Sequence, residues 1–113
     1  MVNSVQLLGR IGKDAVGKTV GDKLVTEFQL ATDESWKDDK GVKQTATEWH
    51  TCVLWEHKNL IPYLTKGSLI FVTGKLKHDS YDKKVGTETV KMYSTKVVVD
   101  EVKLVDTKSA PEA

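Results

Sequence analysis

Among its 113 residues the chain has one cysteine, Cys52, and one arginine, Arg10. A single cysteine excludes an internal disulfide framework. A lone inward-facing thiol fits a reducing compartment, so a cytoplasmic location is expected. No apolar run approaches the roughly 20 residues that cross a bilayer. The N-terminal MVNSVQLLGR has neither the basic start nor the cleavage site of a signal peptide, so no membrane partner is expected. The formal net charge of +1 excludes a uniformly basic polyanion binder. Since Arg10 is the only arginine, the remaining cations are lysines, hydrated point charges without the fork that reads base edges. A polyanion held by this chain would be held by its backbone. No internal repeat is present, and no Ser/His/Asp spacing suggests a nucleophile with its base. Neither a catalytic residue nor a cofactor is expected.

What is there is uneven charge and strand-period patterning in a length that suits one domain. Residues 1–34 carry four basic and five acidic side chains, whereas residues 58–84 carry six lysines against Asp79 and Asp82. VNSVQLLGRIG alternates, with Val5, Leu7, Gly9 and Ile11 on one side, and reads as a first strand. Residues 12–23, rich in Gly and Lys, read as a loop. LVTEFQLATDESW is a second strand, with KDDKG (residues 37–41) as its hairpin tip. QTATEWHTCVLW is a third. EHKNLIPYLTKGS holds one short helix, with Gly67 as its stop. LIFVTGKLKHDSY is a fourth strand, DKKVG (residues 82–86) a second hairpin tip, and TETVKMYSTKVVVDEVKLV the return. Leu24, Phe28, Leu30, Cys52, Leu54, Ile70, Val72 and Leu76 are the expected core, with Tyr63 and Tyr93 in the core or at its rim. About five strands with a lone helix between the third and fourth point to an all-β, five-stranded Greek-key barrel, the OB-fold. One domain over residues 1–105 is expected, followed by a short disordered stub over 106–113.

Two formal motifs lead elsewhere and are rejected. Gly12, Gly17, Lys18 and Thr19 match the phosphate-binding G-x-x-x-x-G-K-T of a nucleotide hydrolase. That chemistry needs a helix starting at the Lys-Thr pair, and here Val20, Gly21 and Asp22 lead into a strand instead. His50, Cys52 and His57 contain two metal-ligand types, but a zinc site needs three or four converging ligands and His57 lies beyond the strand end. No metal is expected.

The aromatics carry the remaining signal. Trp49 and Trp55 are six apart on one strand, so both fall on the face opposite Cys52 and Leu54. Trp36 stands at the first hairpin and Tyr81 near the second. Lysines are interleaved with them: Lys37 beside Trp36, Lys43 across the tip, Lys58 after Trp55, and Lys75 and Lys77 on the outward face. The bland alternative is an interaction module whose aromatics fill a subunit interface. Stacking platforms along a cationic groove are instead what a sequence-tolerant single-strand binder requires.

LATDESWKDDKG, then TEWHTCVLW, then YLTKGSLIFVTGKL closely resemble the bacterial single-stranded DNA-binding proteins, with weaker similarity from Val2 to about Val105. The resemblance implies an OB-fold protein that coats and protects single-stranded DNA in replication, recombination and repair. It implies a homo-oligomer, a tetramer first and a dimer second. Trp36, Trp49, Trp55 and Tyr81 match the family's stacking positions, and Lys66, Lys75 and Lys77 match basic positions along the DNA path. His50 matches a position at one subunit interface, and Phe71 and Leu76 match positions between dimers. Thr51 stands where the family usually has Arg. The family's acidic C-terminal tip has no counterpart in DTKSAPEA, so tail-dependent recruitment of repair and replication proteins is expected to be absent. The primosomal paralogue, a dimeric replication-restart assembly factor, is the alternative.

Overall fold

The structure, a computed structural model, describes residues 1–106. Its strands are β1 (Val5–Ile11), β2 (Val16–Val20), β3 (Lys23–Lys37), β4 (Lys43–Trp55), β5 (Leu69–Val85) and β6 (Glu88–Asp106). A 3-10 helix, Lys58–Tyr63, lies between β4 and β5. The sheet order is β1-β5-β6-β4-β3-β2, and a further β1–β3 pairing at Arg10 and Ile11 closes five of the strands into a barrel. This is the expected OB-fold. All pairings are antiparallel except β4 with β6, which run parallel through Cys52↔Val97 and Val53↔Val98. The expected stub at 106–113 lies outside the described residues apart from Asp106, which ends β6.

Strict alternation builds the core. Ile11, Phe28, Leu30, Cys52, Leu54, Ile70 and Val72 point inward from four strands, and Val97 and Val99 of β6 complete them. Leu64, just past the 3-10 helix, caps one end of the barrel and is fully buried. Gly74 is needed where β5 passes β6, because a Cβ there would run into the backbone carbonyl of Val98. A register shift in β6 at the same point gives that strand an extra residue. Such a bulge increases local twist and lets a strand bend around a small barrel. Burial raises the Cys52 thiol pKa to about 12, so the only sulfur nucleophile is a neutral thiol at physiological pH.

Several sequence expectations need correction. Residues 16–20 form a strand: β2 pairs with β3 from Val16↔Glu27 to Val20↔Lys23, a sixth strand outside the barrel. Its side chains are all exposed, so no hydrophobic alternation announced it. The second hairpin is longer than expected. β5 continues to Val85, and a two-residue turn at Gly86 and Thr87 leads into β6, so residues 82–85 are strand. Leu76 is exposed, because Val97 opposite it is the last β6 residue toward the arm that the core covers. Leu24 is only half-buried. Tyr93 stands out with a relative exposure of 75%, beyond both core and rim. Val53, on the outward face, is buried between Glu27 and Val98 on the neighbouring strands.

Two two-stranded arms leave the barrel. One runs along β3 and β4 to Lys37↔Lys43, the other along β5 and β6 to Val85↔Glu88. They raise the radius of gyration to 16.9 Å, against about 13 Å for a compact domain of 100 residues. The division between barrel and arms predicts mutant stabilities. Leu54→Ala should cost about 2–5 kcal/mol in urea unfolding, since it leaves a cavity in the closed core. Val85→Ala, at the exposed tip of the β5–β6 arm, should stay within about 0.5 kcal/mol of the parent.

Candidate nucleic-acid interface

Side chains directly paired across strands share a face, so register decides which groups can act together. On β4, Trp49 and Trp55 alternate in phase with Lys43, Thr51 and Val53, opposite Cys52 and Leu54. Their β3 partners are Ala31 for Trp49, Val25 for Trp55 and Lys37 for Lys43. The parallel pair Val53↔Val98 carries this face onto β6, and Lys75↔Val98, Lys77↔Lys96 and Tyr81↔Met92 carry it onto β5. Trp49, Trp55, Lys37, Lys43, Lys75, Lys77 and Tyr81 therefore lie on one continuous outward face. The rings stay open there, at 58% exposure for Trp49, 43% for Trp55 and 53% for Tyr81.

Trp36 is placed differently. It pairs with Gln44, in phase with Phe28 and Leu30, so it lies on the opposite face of the β3–β4 arm. The arm has left the barrel there, and the indole is exposed. Asp38 holds this tip: its Oδ1 accepts from the Lys40 and Val42 amides at 2.9 Å each, and its Oδ2 accepts from Gln44 Nε2 at 3.2 Å. These donors, the Val42 amide first, lower the Asp38 pKa. The charged carboxylate is the form that braces the turn, and the bracing fades as pH falls through its lowered pKa.

Trp49 is pinned along one ring edge. A Cβ on Gly12 would run into its Cζ3 and come within 2.7 Å of its Cη2, so the indole lies directly over the Gly12 backbone. Gly12 in turn donates its amide to the Gln29 carbonyl at 3.1 Å. Beside the ring, Gly12, Lys13, Asp14, Val16 and Lys66 line a shallow groove of about 540 Å³. A second, of about 250 Å³, continues along Lys13, Val16 and Lys18 against Glu27 and Gln29. Lys66 is held at this groove because Asp14 Oδ1 accepts its backbone amide at 2.7 Å. The segment 12–19 that resembled a phosphate loop thus runs along the groove and into β2, with no helix at Lys18-Thr19.

The other candidates fall elsewhere. Lys58 opens the 3-10 helix, beyond a tight turn in which Glu56 and His57 both have positive φ, 63° and 59°. That turn takes the chain off the sheet immediately after Trp55. His50 is half-buried on the core side, with Nε2 2.9 Å from Thr32 Oγ1. Phe71 lies on the outer surface opposite Leu8 of β1, and Leu76 on the core side at the root of the β5–β6 arm. His50, Phe71 and Leu76 do not form one patch within the chain. Among the described residues no group of three or more His, Cys, Asp or Glu is arranged to hold a metal.

Sequence reading missed Lys13 and Lys18, which were assigned to a loop. It also missed Lys96, whose place on the outward face follows only from its pairing with Lys77. Tyr93 lies on the reverse face of its arm, with Lys91 Nζ 5.9 Å from the ring centroid. The contact between Gly12 and Trp49 has a measurable consequence. Gly12→Ala should displace the indole, shifting tryptophan emission and lowering the melting temperature. In a Trp49→Ala background the same substitution should be nearly silent.

Comparisons with known proteins bear on the family and the fold. The model of the Single-strand binding protein family matches residues 2–105. A single-stranded DNA-binding protein of Xanthomonas campestris is 37% identical over 106 residues, covering 91% of this chain and 60% of its own length. The chain thus spans about three-fifths of that relative. A mitochondrial single-stranded DNA-binding protein of Danio rerio is 34% identical over 111 residues, covering 89% of this chain and 74% of its own. Among solved structures, a Plasmodium falciparum SSB in complex with ssDNA aligns with a TM-score of 0.78 at 26% identity, covering 94% of this chain and 96% of that one. A Thermus aquaticus single-stranded DNA-binding protein aligns at 0.75 with 22% identity, covering 93% of this chain and 51% of that one, and shares the fold. By the span of the family match and the identity of these relatives, the chain belongs to the single-strand binding protein family.

Proposed function

We propose that this chain binds single-stranded DNA without reading its sequence, as a coat that protects the strand in replication, recombination and repair, and that it is not an enzyme. One observation carries the reading: two exposed indoles and a tyrosine share a continuous sheet face with Lys37, Lys43, Lys75 and Lys77. Every base has a π face, so stacking on Trp49, Trp55 and Tyr81 is indifferent to sequence. Lysine ammoniums between the rings neutralise phosphates as point charges, which adds affinity without base discrimination. Lys66, Lys13 and Lys18 extend the cationic surface along the groove beside Trp49, and Lys58 lies past Trp55. Trp36 joins the path if the strand passes around the edge of the β3–β4 arm.

The solved Plasmodium falciparum relative supports the reading, since it is described as a complex with ssDNA. The relatives reported above are named single-stranded DNA-binding proteins, so the assembly-factor alternative is not favoured. A homo-oligomer, a tetramer first, belongs to the same proposal. β1 pairs with β3 only at Arg10 and Ile11, which leaves most of its second edge without a strand partner among the described residues. Leu8 and Leu76 are exposed apolar side chains and Phe71 is partly so. Unpaired edges and exposed apolar groups are what a second copy covers. No helix among the described residues is long and apolar enough to cross a membrane, and a strand coat would work where the DNA is, in the cytoplasm at the nucleoid.

Titration with oligo(dT) should quench tryptophan emission. Trp49→Ala and Trp55→Ala should each weaken binding by about 1–3 kcal/mol while the fold persists. A Trp49→Ala variant that unfolds would instead make the indole a structural group. The salt dependence is a second test. Single-strand binding changes with a log–log slope of about −0.7 per phosphate neutralised. Replacing Lys75 and Lys77 together by Ala should therefore flatten the slope by roughly 1 to 1.5. An unchanged slope would place the DNA path off β5.

A further inference from the structure

Lys77 of β5 and Lys96 of β6 are direct cross-strand partners. Like charges in that position repel and destabilise a sheet. Here the pair is not a fully solvated one, because Lys96 is half-buried. Lys75 adds a third ammonium on the same face two residues along β5. Asp79, opposite Ser94, is the nearest carboxylate on this face of β5, yet no ion pair joins a carboxylate to Lys77 or Lys96 among the described residues. A half-buried ammonium facing a second one, without a counter-charge, is costly in the free protein and favourable once an anion sits between them.

The location says which anion. Val98, two residues from Lys96 on the same face, pairs with Lys75 on one side and Val53 on the other, and Val53 lies between Trp49 and Trp55 in sequence phase. Adjacent strands are about 4.8 Å apart, so the ammoniums lie beside the indole row on the way to Tyr81. The β4 side chain in phase nearest to them is Thr51, a neutral group whose Oγ1 accepts from Gln29 Nε2 at 2.9 Å. It contributes no charge of its own. We propose that Lys77 and Lys96 form a phosphodiester site at the root of the β5–β6 arm, which fixes the strand where it crosses from the β4 indoles to Tyr81. The site rests on the single-stranded DNA reading and names Lys96 as a determinant of it.

The test uses Lys96→Gln and Lys96→Arg in the full chain, with oligo(dT) as ligand and Trp49→Ala as control. Lys96→Gln should flatten the salt slope by about 0.7, equivalent to roughly five-fold weaker binding at 0.1 M salt. Lys96→Arg should keep the parental slope. Without DNA, Lys96→Gln should raise the melting temperature at low salt, and the gain should vanish at high salt or when Lys77→Gln is already present. A Lys96→Gln slope equal to the parent's, with Trp49→Ala still weakening binding, would overturn the site and leave the broader reading intact. Loss of slope in Lys96→Arg as well would assign the effect to packing and also overturn it. If neither Trp49→Ala nor Lys96→Gln alters oligo(dT) binding, both the site and the reading fail.

Discussion

The organisation of this protein depends on a short parallel contact, Cys52↔Val97 and Val53↔Val98, between β4 and β6. Every other strand pairing is antiparallel. Antiparallel pairing alone would leave two separate ribbons, β2-β3-β4 and β1-β5-β6, meeting only where β1 touches β3. The parallel contact joins them along a second seam and closes the barrel. It does so through residues of both faces: Cys52 and Val97 point into the core, while Val53, itself buried between its neighbours, and the half-buried Val98 point the other way. The same contact that seals the interior thus brings the indoles of β4 and the lysines of β5 and β6 onto one continuous exterior.

That exterior extends onto two arms whose packing differs from the barrel's. Inside the barrel, each strand buries one face and its alternation is enforced by the cost of exposing Leu or Ile. Along the arms both faces meet solvent, and cross-strand pairs hold the register. Some of those pairs help: Asp82 faces Lys91, and His78 Nδ1 is 2.8 Å from Thr95 Oγ1. Others oppose it, with Lys37 facing Lys43 and Lys77 facing Lys96. Both repulsive pairs are on the outward face. A polyanion laid along this face would relieve both repulsions.

Glycine and turn geometry set the fine placement of the rings. Trp49 can lie on the strand junction because residue 12 has no side chain. Trp55 ends its strand because Glu56 and His57 adopt left-handed backbone angles and carry the chain away. Tyr81 lies partway along β5 because the turn is delayed to Gly86 and Thr87, which extends the arm past the ring.

Much of this was legible in the sequence wherever one face of a strand is buried. Val5, Leu7 and Ile11, or Cys52 and Leu54, declare their phase, and a phase error would put apolar groups in water. The same alternation placed Trp49 and Trp55 together on the outer face. β2 was not legible, because all five of its residues are exposed and carry no pattern. Trp36 falls in phase with Phe28 and Leu30 by the same count, but only the structure shows that β3 has left the barrel there, so that the indole is exposed. Lys96 was just another lysine until its partner was known. The sequence alone determined the barrel class, most of the core and the aromatic character of the surface, because local alternation follows from burial at each position. Only the tertiary structure joined the lysines and aromatics of separate strands into one face and added Lys96 to them. That depends on register between strands distant in the chain, and hydrogen bonding sets the register with no trace in either strand's own pattern.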